Sequence, residues 1–428
     1  MKKRRPSPQG YLILTFLVLI AAGALLFMTP FVTASGGLSP ADALFMSTSA
    51  VCVTGLSVMN TSDFTLFGQI ILLTLIQLGA LGIMTLSSSL LLFITGDLDF
   101  GTRLMASRLA ESYSLREIEN VLFYIVSYTF ICEAVGVVLL WIGFVTDGYG
   151  IGEALYPAVF HAVSAFCNAG FSTFDNSLSD SGSMVKTVVM LLITAGGLGF
   201  YVIFDLMRKI KEKTRLRIHT KIVLSMSASL SLGGAVLLYF TEYGQMSVID
   251  SLFQSVTART AGFNTVDLAG MHSVSLMLMI ILMFIGASPG STGGGIKTTT
   301  AFLAAVSVRR AVEGETGVRI FGRTIPPSNI LKAFTIIFLY SVVVCFASAL
   351  ILLFRESHFL GVLFEVVSAI GTVGLSLGLT AEASTAEKLI LTACMFIGRV
   401  GPSAMLIAMT GKKKESKLAY PEEKIILG

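Results

Sequence analysis

The chain alternates long apolar runs with short polar stretches. Crossing a hydrocarbon core about 30 Å thick takes about 20 helical residues. Eight runs qualify, at 11–33, 65–94, 119–146, 184–207, 219–240, 272–310, 329–354 and 386–410. Within each successive pair of runs lies a shorter apolar segment, at 44–56, 159–171, 251–263 and 363–375. A helix of about 12 residues covers only about 18 Å. Each short segment is therefore predicted to enter the membrane and return on the same side.

The four short segments resemble one another. Each runs into a glycine, Gly55, Gly170, Gly262 or Gly374, with Phe45, Phe160, Leu252 or Phe364 ten positions earlier and Leu56, Phe171, Phe263 or Leu375 directly after. Small and hydroxyl residues lie between, as in Ser49-Ala50, Ser164-Ala165 and Ser368-Ala369. Similarity at intervals on the order of a hundred residues marks tandem units. The predicted fold is an all-α polytopic membrane protein of four tandem helix/pore-loop/helix repeats, eight transmembrane helices around a pseudo-fourfold pore. The expected boundaries are 1–98, 99–213, 214–323 and 324–410, with a cytoplasmic tail at 411–428. All four repeats keep one orientation, which counts against a secondary transporter built from an inverted pair.

Composition supports a bilayer setting: 54% of residues are apolar and 13% charged, with a mean hydropathy of +0.82, well beyond a soluble domain. The formal charge of +4 matters less than its distribution. Cations crowd Lys2-Lys3-Arg4-Arg5, the loop with Arg103, Arg108 and Arg116, the loop 208–221, the loop with Arg309, Arg310, Arg319 and Arg323, and the tail from Lys412. The loops bearing the short segments carry Asp42, Asp63, Asp147, Asp175, Asp180, Glu242, Asp250 and Asp267. The positive-inside rule then predicts a plasma-membrane protein with both termini cytoplasmic and all four short segments dipping in from outside. The basic start superficially resembles a secretory signal, but the run at 11–33 is too long and lacks a convincing cleavage site, so it is expected to be a retained first span. Five cysteines stand singly without metal-ligand spacing and are expected to be apolar fillers.

Non-helical backbone at membrane depth persists only where protein buries it or it lines a watery cavity. Four such breaks imply a shared aqueous axis. Short helices entering from outside point their partly negative ends toward the membrane centre, and the carbonyls that follow can replace a cation's hydration shell. The candidate selectivity filter is Val53, Thr54 and Gly55; Asn168, Ala169 and Gly170; Thr260, Ala261 and Gly262; and Thr372, Val373 and Gly374. The fourth loop, Gly371-Thr372-Val373-Gly374-Leu375, is close to the potassium-channel sequence TVGYG. Potassium is the expected cargo, held at carbonyls near the four glycines.

With Cys167-Asn168-Ala169-Gly170-Phe171 in the second loop and Ala258-Arg259-Thr260-Ala261-Gly262-Phe263-Asn264-Thr265 in the third, the chain closely resembles the Trk/Ktr/HKT superfamily of potassium transporters. Because it starts at the first span without an extra helix pair and ends near Tyr420-Pro421-Glu422-Glu423-Lys424, it is most similar to the Ktr-type pore-forming subunit. The resemblance implies one pore per subunit, a homodimer, and a cytoplasmic RCK-type nucleotide-binding regulatory ring. It places nucleotide only on that partner, leaves this chain without a cofactor, and makes sodium a candidate activator. In that family a glycine in all four loops goes with potassium preference, whereas serine in the first loop marks sodium-permeable plant members; Gly55 argues for potassium. Membrane lipid is the other expected partner; nucleic acid is not, and no enzymatic activity is expected.

The sixth run is interrupted by glycines and a proline from Gly286 to Thr298, enough to break a helix. It resembles the family's intramembrane gating loop, the alternative being a structural kink, and the gate candidates are Gly290, Ser291, Thr292, Gly293, Gly294, Gly295, Lys297 and Arg399. The segment nearly matches a Walker A loop, but Ile296 separates Gly295 from Lys297 and no soluble strand precedes it. Arg399, near mid-membrane, is expected to act as a fixed positive charge beside the loop or to hold the last helix to carbonyls. Glu133 and Glu365 are expected to brace helices or cap loop N–H groups. Arg259 is expected to point away from the pore and pair with a carboxylate, and Trp141 to anchor at an interface. An intramembrane enzyme using His161 or Ser291 is the other alternative, but His161 lacks a nucleophile and base. The loop 208–217 and the tail are expected to contact the regulatory ring, the alternative for the loop being to lie solvated beside anionic lipid.

Overall fold

The computed structural model describes residues 8–34, 36–82, 115–315, 317–355 and 358–402, the side chains of 8–12 and 115–122 excepted. Lys2 to Arg5, Arg103, Arg108, the side chain of Arg116, the far ends of the second and eighth runs, and the tail 411–428 lie outside the described residues.

Helices dominate. The first three are α1 (Pro8–Phe27), α2 (Pro40–Val51) and α3 (Leu66–Leu81); α4 (Leu115–Thr146), α5 (Leu155–Cys167), α6 (Ser183–Leu198) and α7 (Phe200–Glu212) follow. Next come α8 (Ile218–Thr241), α9 (Val248–Thr257), α10 (Ser273–Phe284) and α11 (Thr298–Val312), and last α12 (Pro327–Phe354), α13 (Phe359–Gly371) and α14 (Thr385–Val400). Among the described residues, Phe123–Thr146, Ile218–Thr241 and Pro327–Phe354 are each long and apolar enough to cross a membrane. This is a multi-pass helical membrane protein.

Four short helices, α2, α5, α9 and α13, lie at the centre, and their apolar side chains form the core. Phe45, Phe160 and Phe364 are fully buried there. In α9 the aligned residue, Leu252, is only part-buried, while the next, Phe253, is fully buried like its counterparts Met46, His161 and Glu365. α2, α5 and α13 each pack between the helices that flank them in sequence, and α9 packs on α8; each also meets a helix from a neighbouring part of the chain: α5 meets α3, α9 meets α6, α13 meets α10, and α2 meets α14. The last contact closes a ring.

Glycines make the close approaches. A Cβ on Gly79 of α3 would lie 2.1 Å from the Val51 carbonyl oxygen, one on Gly196 of α6 1.9 Å from that of Phe166, and one on Gly398 of α14 1.9 Å from that of Ile370. A real Cβ cannot sit there, so these helices touch backbone to backbone, as small residues allow in membrane helices. The corresponding glycine of α10, Gly286, instead faces the Gly294 carbonyl oxygen, 2.5 Å from the site of its missing Cβ.

Two features depart from the sequence reading. The run at 184–207, expected as one span, is bent by 93° between α6 and α7. The bend falls at Gly199, whose φ of +83° suits glycine. The Phe200 N–H there donates to the Gly290 carbonyl oxygen at 3.1 Å, so the broken helix is held by the loop that interrupts the sixth run. The second departure is a hairpin, β1 (Arg319–Ile320) and β2 (Arg323–Thr324). Phe321 and Gly322 at its tip both have positive φ, the geometry of a two-residue hairpin turn. Val318 and Ile320 pack with Ile222 in a small separate cluster.

Candidate functional site

Each central helix ends in the same device. Val53, Asn168, Thr260 and Thr372 have φ of +54°, +60°, +78° and +50°, and two residues later Gly55, Gly170, Gly262 and Gly374 have φ of +99°, +74°, +81° and +94°. In three loops the turn is a Schellman motif. Val53 N–H donates to Ala50 O at 3.0 Å and Thr54 N–H to Ser49 O at 2.8 Å. Asn168 and Ala169 repeat the pair on Ala165 and Ser164, and Thr372 and Val373 on Ala369 and Ser368. The third loop differs, both Ala261 N–H and Gly262 N–H reaching Thr257 O. Holding a β-branched residue in the left-handed region costs about 1–3 kcal/mol, and three of these four positions are Val or Thr.

The four loops meet head to tail. A Cβ on Gly55 would lie 2.4 Å from Ala169 O; on Gly170, 2.6 Å from Ala261 O; on Gly262, 2.4 Å from Val373 O; and on Gly374, 2.2 Å from Thr54 O. Each glycine thus backs onto the carbonyl that precedes the next glycine, and the cycle returns to its start. All twelve sequence-predicted ring residues are gathered here; nine are buried, and Gly55, Gly170 and Gly374 are part-exposed.

Polar groups hold the ring from behind. Ser49 Oγ accepts from Gly55 N–H at 3.2 Å and Ser368 Oγ from Gly374 N–H at 3.1 Å, while Ser164 Oγ donates to Phe171 O at 2.8 Å. These are the Ser-Ala serines of the repeated segments. Glu365 accepts from Ser376 Oγ at 2.5 Å, Leu377 N–H at 3.0 Å and Thr380 Oγ1 at 2.8 Å. Glu133 accepts from Gln77 Nε2 at 3.3 Å, and the Cys167 thiol faces both. Glu365 therefore caps the fourth loop, and Glu133 braces α4 against α3, as expected. Arg259 does turn away, but its partners are Ser227 O, Ser227 Oγ and Ser231 Oγ on α8, each at 3.1 Å. The expected carboxylate is replaced by a helix carbonyl and two hydroxyls, because the neighbouring face of α8 offers serines. His161 bonds Pro157 O and Ser172 Oγ and stacks on Phe174, a packing role. Trp141 donates to Ile151 O at 2.9 Å.

The segment between α10 and α11 forms a compact loop under the ring. Ile285 and Ile296 pair as a parallel bridge at its neck. Its tip touches the left-handed residues directly: Gly294 N–H donates to Thr372 Oγ1 at 3.0 Å, and a Cβ on Gly293 would lie 2.1 Å from Thr260 Oγ1. Lys297 Nζ donates back to Gly293 O at 2.6 Å and Gly294 O at 3.3 Å. Ser288 and Thr292 N–H reach Gly197 O and Gly196 O of the broken helix. Arg399, buried, donates through one terminal nitrogen to Thr292 O and through the other to Gly79 O at 3.0 Å. Lys297 and Arg399 line a cavity of about 230 Å³ with Gly290 to Gly293, Tyr128 and Phe166. The gate candidates Gly290 to Gly295, Lys297 and Arg399 are thus one contiguous group. Sequence reasoning missed Gly199, although the run Gly196-Gly197-Leu198-Gly199 carries the signal for a break.

A profile described as "TrkH: Cation transport protein" matches residues 9–242 and 232–417. The chain belongs to the TrkH family. It is 36% identical over 454 residues to the potassium/sodium uptake protein NtpJ of Enterococcus hirae, covering 100% of this chain and 99% of that one. The Ktr system potassium uptake protein B of Vibrio alginolyticus is 37% identical over 440 residues, covering 100% and 96%; its Bacillus subtilis counterpart is 35% identical, covering 99% and 97%. Among solved structures, the potassium transporter TrkH of Vibrio parahaemolyticus matches with a TM-score of 0.73 at 22% identity, over 96% of this chain and 86% of that chain. This TrkH-family chain is a cation transporter and not an enzyme, and the match to the Trk/Ktr superfamily agrees with the resemblance carried by its loops.

In this TrkH-family chain, residues ten positions before the packing glycines reach the next central helix. Lys186 pairs with Asp250 at 2.9 Å and Lys388 with Asp42 at 2.6 Å. Gln69 Oε1 accepts from Tyr156 OH at 2.7 Å. Asp42 and Asp250 lie in the first turns of α2 and α9, below the capping serines Ser39 and Ser247. The equivalent residue of α10, Leu276, is apolar and buried, so the junction of α10 with α13 has no polar latch at this position.

Proposed function

We propose that this chain carries potassium into the cell through the ring of four loops, with the segment 285–297 as the gate below it. The observation that carries this reading is the cyclic stacking of each glycine on the carbonyl before the next. Backbone oxygens from four loops arranged in that way can replace the hydration shell of a cation, and the buried serines keep the ring from collapsing. The four units are read as 1–98, 99–213, 214–323 and 324–410, giving eight crossings around a pseudo-fourfold axis with both termini cytoplasmic. Sodium is proposed as an activator of potassium entry; one relative is named a potassium/sodium uptake protein.

Influx needs no ATP on this chain, because the membrane potential supplies about 2.3 kcal/mol per charge per 100 mV. The names of the Ktr system relatives support a multi-component assembly: a homodimer of this chain on a cytoplasmic RCK-type ring that binds the nucleotide. The segment 208–217 is its proposed contact, presented by Asp205, which accepts from Arg217 N–H at 2.9 Å and Thr220 Oγ1 at 2.7 Å. The direct test is expression in a potassium-uptake-deficient bacterium. Growth at low potassium with potassium-dependent tracer uptake is expected; membrane-inserted protein that restores neither sinks the reading.

A further inference from the structure

We infer that the hydroxyl of Thr372 couples the loop 285–297 to the carbonyl ring, so that loop position sets ion preference and ring occupancy sets loop position. The inference rests on the reading of the ring as a filter and of the loop as a gate. Thr372 is fully buried and held left-handed at the end of α13. Its hydroxyl accepts from Gly294 N–H at 3.0 Å. The fit admits nothing larger than glycine, since a Cβ on Gly294 would lie 2.3 Å from Thr372 Oγ1.

The loop tip is a wedge rather than a tether. Gly294 O lies 2.5 Å from the site of the missing Cβ of Gly286, and Gly371 O lies 3.4 Å from that of Gly295. With the Ile285 to Ile296 bridge at the neck and Lys297 Nζ closing on Gly293 O and Gly294 O, the segment moves as one body. Withdrawing it removes the Gly294 donor and leaves the Thr372 hydroxyl buried without that donor, and a strained left-handed residue without its support relaxes. Thr372 is followed by Val373, whose carbonyl backs onto Gly262, and by Gly374, which backs onto Thr54 O. Relaxation at Thr372 therefore reaches two of the four junctions in the ring. Thr260 stands against Gly293 in the same way, so the loop meets the left-handed residues of the third and fourth loops together. Coupling of this kind is reciprocal: a loop that shapes the ring is itself biased by the ion in the ring.

The test uses the full-length chain in proteoliposomes. Two readouts are taken: the ratio of potassium to sodium uptake, and the reaction rate of a cysteine at position 291 (Ser291→Cys) with a thiol reagent, with and without potassium. For the parent, potassium preference and a potassium-dependent rate are expected. Thr372→Val keeps the shape and removes the acceptor; it is expected to lower the uptake ratio at least about threefold and to abolish the potassium dependence of the rate. Thr372→Ser retains the acceptor and is expected to keep both. Should Thr372→Val fail to reach the membrane, Gly294→Ala carries the test from the loop side, with the same two losses expected although the ring sequence is intact. Gly374→Ser reports on the ring itself. Loss of preference in Gly374→Ser while Thr372→Val and Gly294→Ala both behave as the parent overturns the coupling and leaves the filter reading standing. A parent protein that transports neither ion overturns both.

Discussion

Lys388 and Asp42 lie 346 residues apart in the chain, yet their Nζ and Oδ1 atoms are 2.6 Å apart. The pair joins the first turn of α14 to the first turn of α2 and so closes the circle of helices at the start of the central helices. Burial pushes the Asp42 carboxyl up, but the hydrogen bonds from Lys388 and Ser39 and the Lys388 charge outweigh it and hold the carboxyl below its usual range. A depressed folded pKa stabilises the fold above the unfolded value and loses that contribution as pH falls through the folded one. The pair is partly open to water, with side-chain exposures of 17% and 26%, so its worth is about 0.5–1 kcal/mol. Lys388→Met is expected to lower the melting temperature in detergent at neutral pH by a few degrees, and Asp42→Asn to add little on top of it. Additive losses in the double variant would show that the two residues act separately.

Gly398 and Gly233 make a contrasting pair. A Cβ at Gly398 would lie 1.9 Å from Ile370 O, whereas one at Gly233 meets nothing within 4 Å. Gly398→Ala has to part α14 from α13 at the point where the fourth loop begins, and overpacking of this kind costs about 1–3 kcal/mol or more. Low yield of folded protein and loss of transport are expected. Gly233→Ala, in the interior of α8, is expected to leave yield and thermal stability unchanged or slightly raised, through better helix propensity. Fluorescence-detected size exclusion of both variants decides the matter, and equal yields would contradict the packing argument.

The sequence made the ring legible because its parts are local. The left-handed residue, the glycine two later and the hydroxyl that holds the loop all lie within one short segment, so a motif search lands on the geometry. The gate group was legible for the same reason, since the glycines and proline after Gly286 cannot continue a helix. Interactions set by tertiary neighbours were not. Arg259 had a readable need for partners, but the serines of α8 that meet it lie about 30 residues earlier and look unremarkable in a spanning helix. Gly199 was hidden by an apolar run that passes through it with no proline.

Gly55 is the glycine whose replacement bears on ion choice. Its φ is +99° and a Cβ there would lie 2.4 Å from Ala169 O, so Gly55→Ser has to displace a ring carbonyl or open the first loop. A wider or less regular set of oxygens discriminates less sharply between cations. The expected outcome is increased sodium uptake at reduced potassium uptake, measured as competing tracer fluxes in the same vesicles. An unchanged potassium-to-sodium ratio in correctly inserted protein would remove Gly55 from the filter.

Arg399 combines two roles that substitution can separate. It ties the last helix to the loop through Thr292 O and to α3 through Gly79 O, and it brings a positive charge to a cavity shared with Lys297. A cation passing within about 8 Å of a unit charge at an effective dielectric constant of about 20 is opposed by about 2 kcal/mol, roughly thirtyfold in rate. If charge is the barrier, Arg399→Gln, neutral like Ala, raises potassium flux nearly as much as Arg399→Ala, while Arg399→Lys, which keeps the charge, stays near the parent. If the tie is the barrier, all three variants open the loop, Lys included, because its single point charge replaces the two-armed fork. The placement of the guanidinium beside the loop carbonyls inside a low-dielectric cavity favours charge as the larger effect. Flux is expected to rise about tenfold or more in both Ala and Gln. Unchanged flux in all three variants at normal expression would take Arg399 out of the gate.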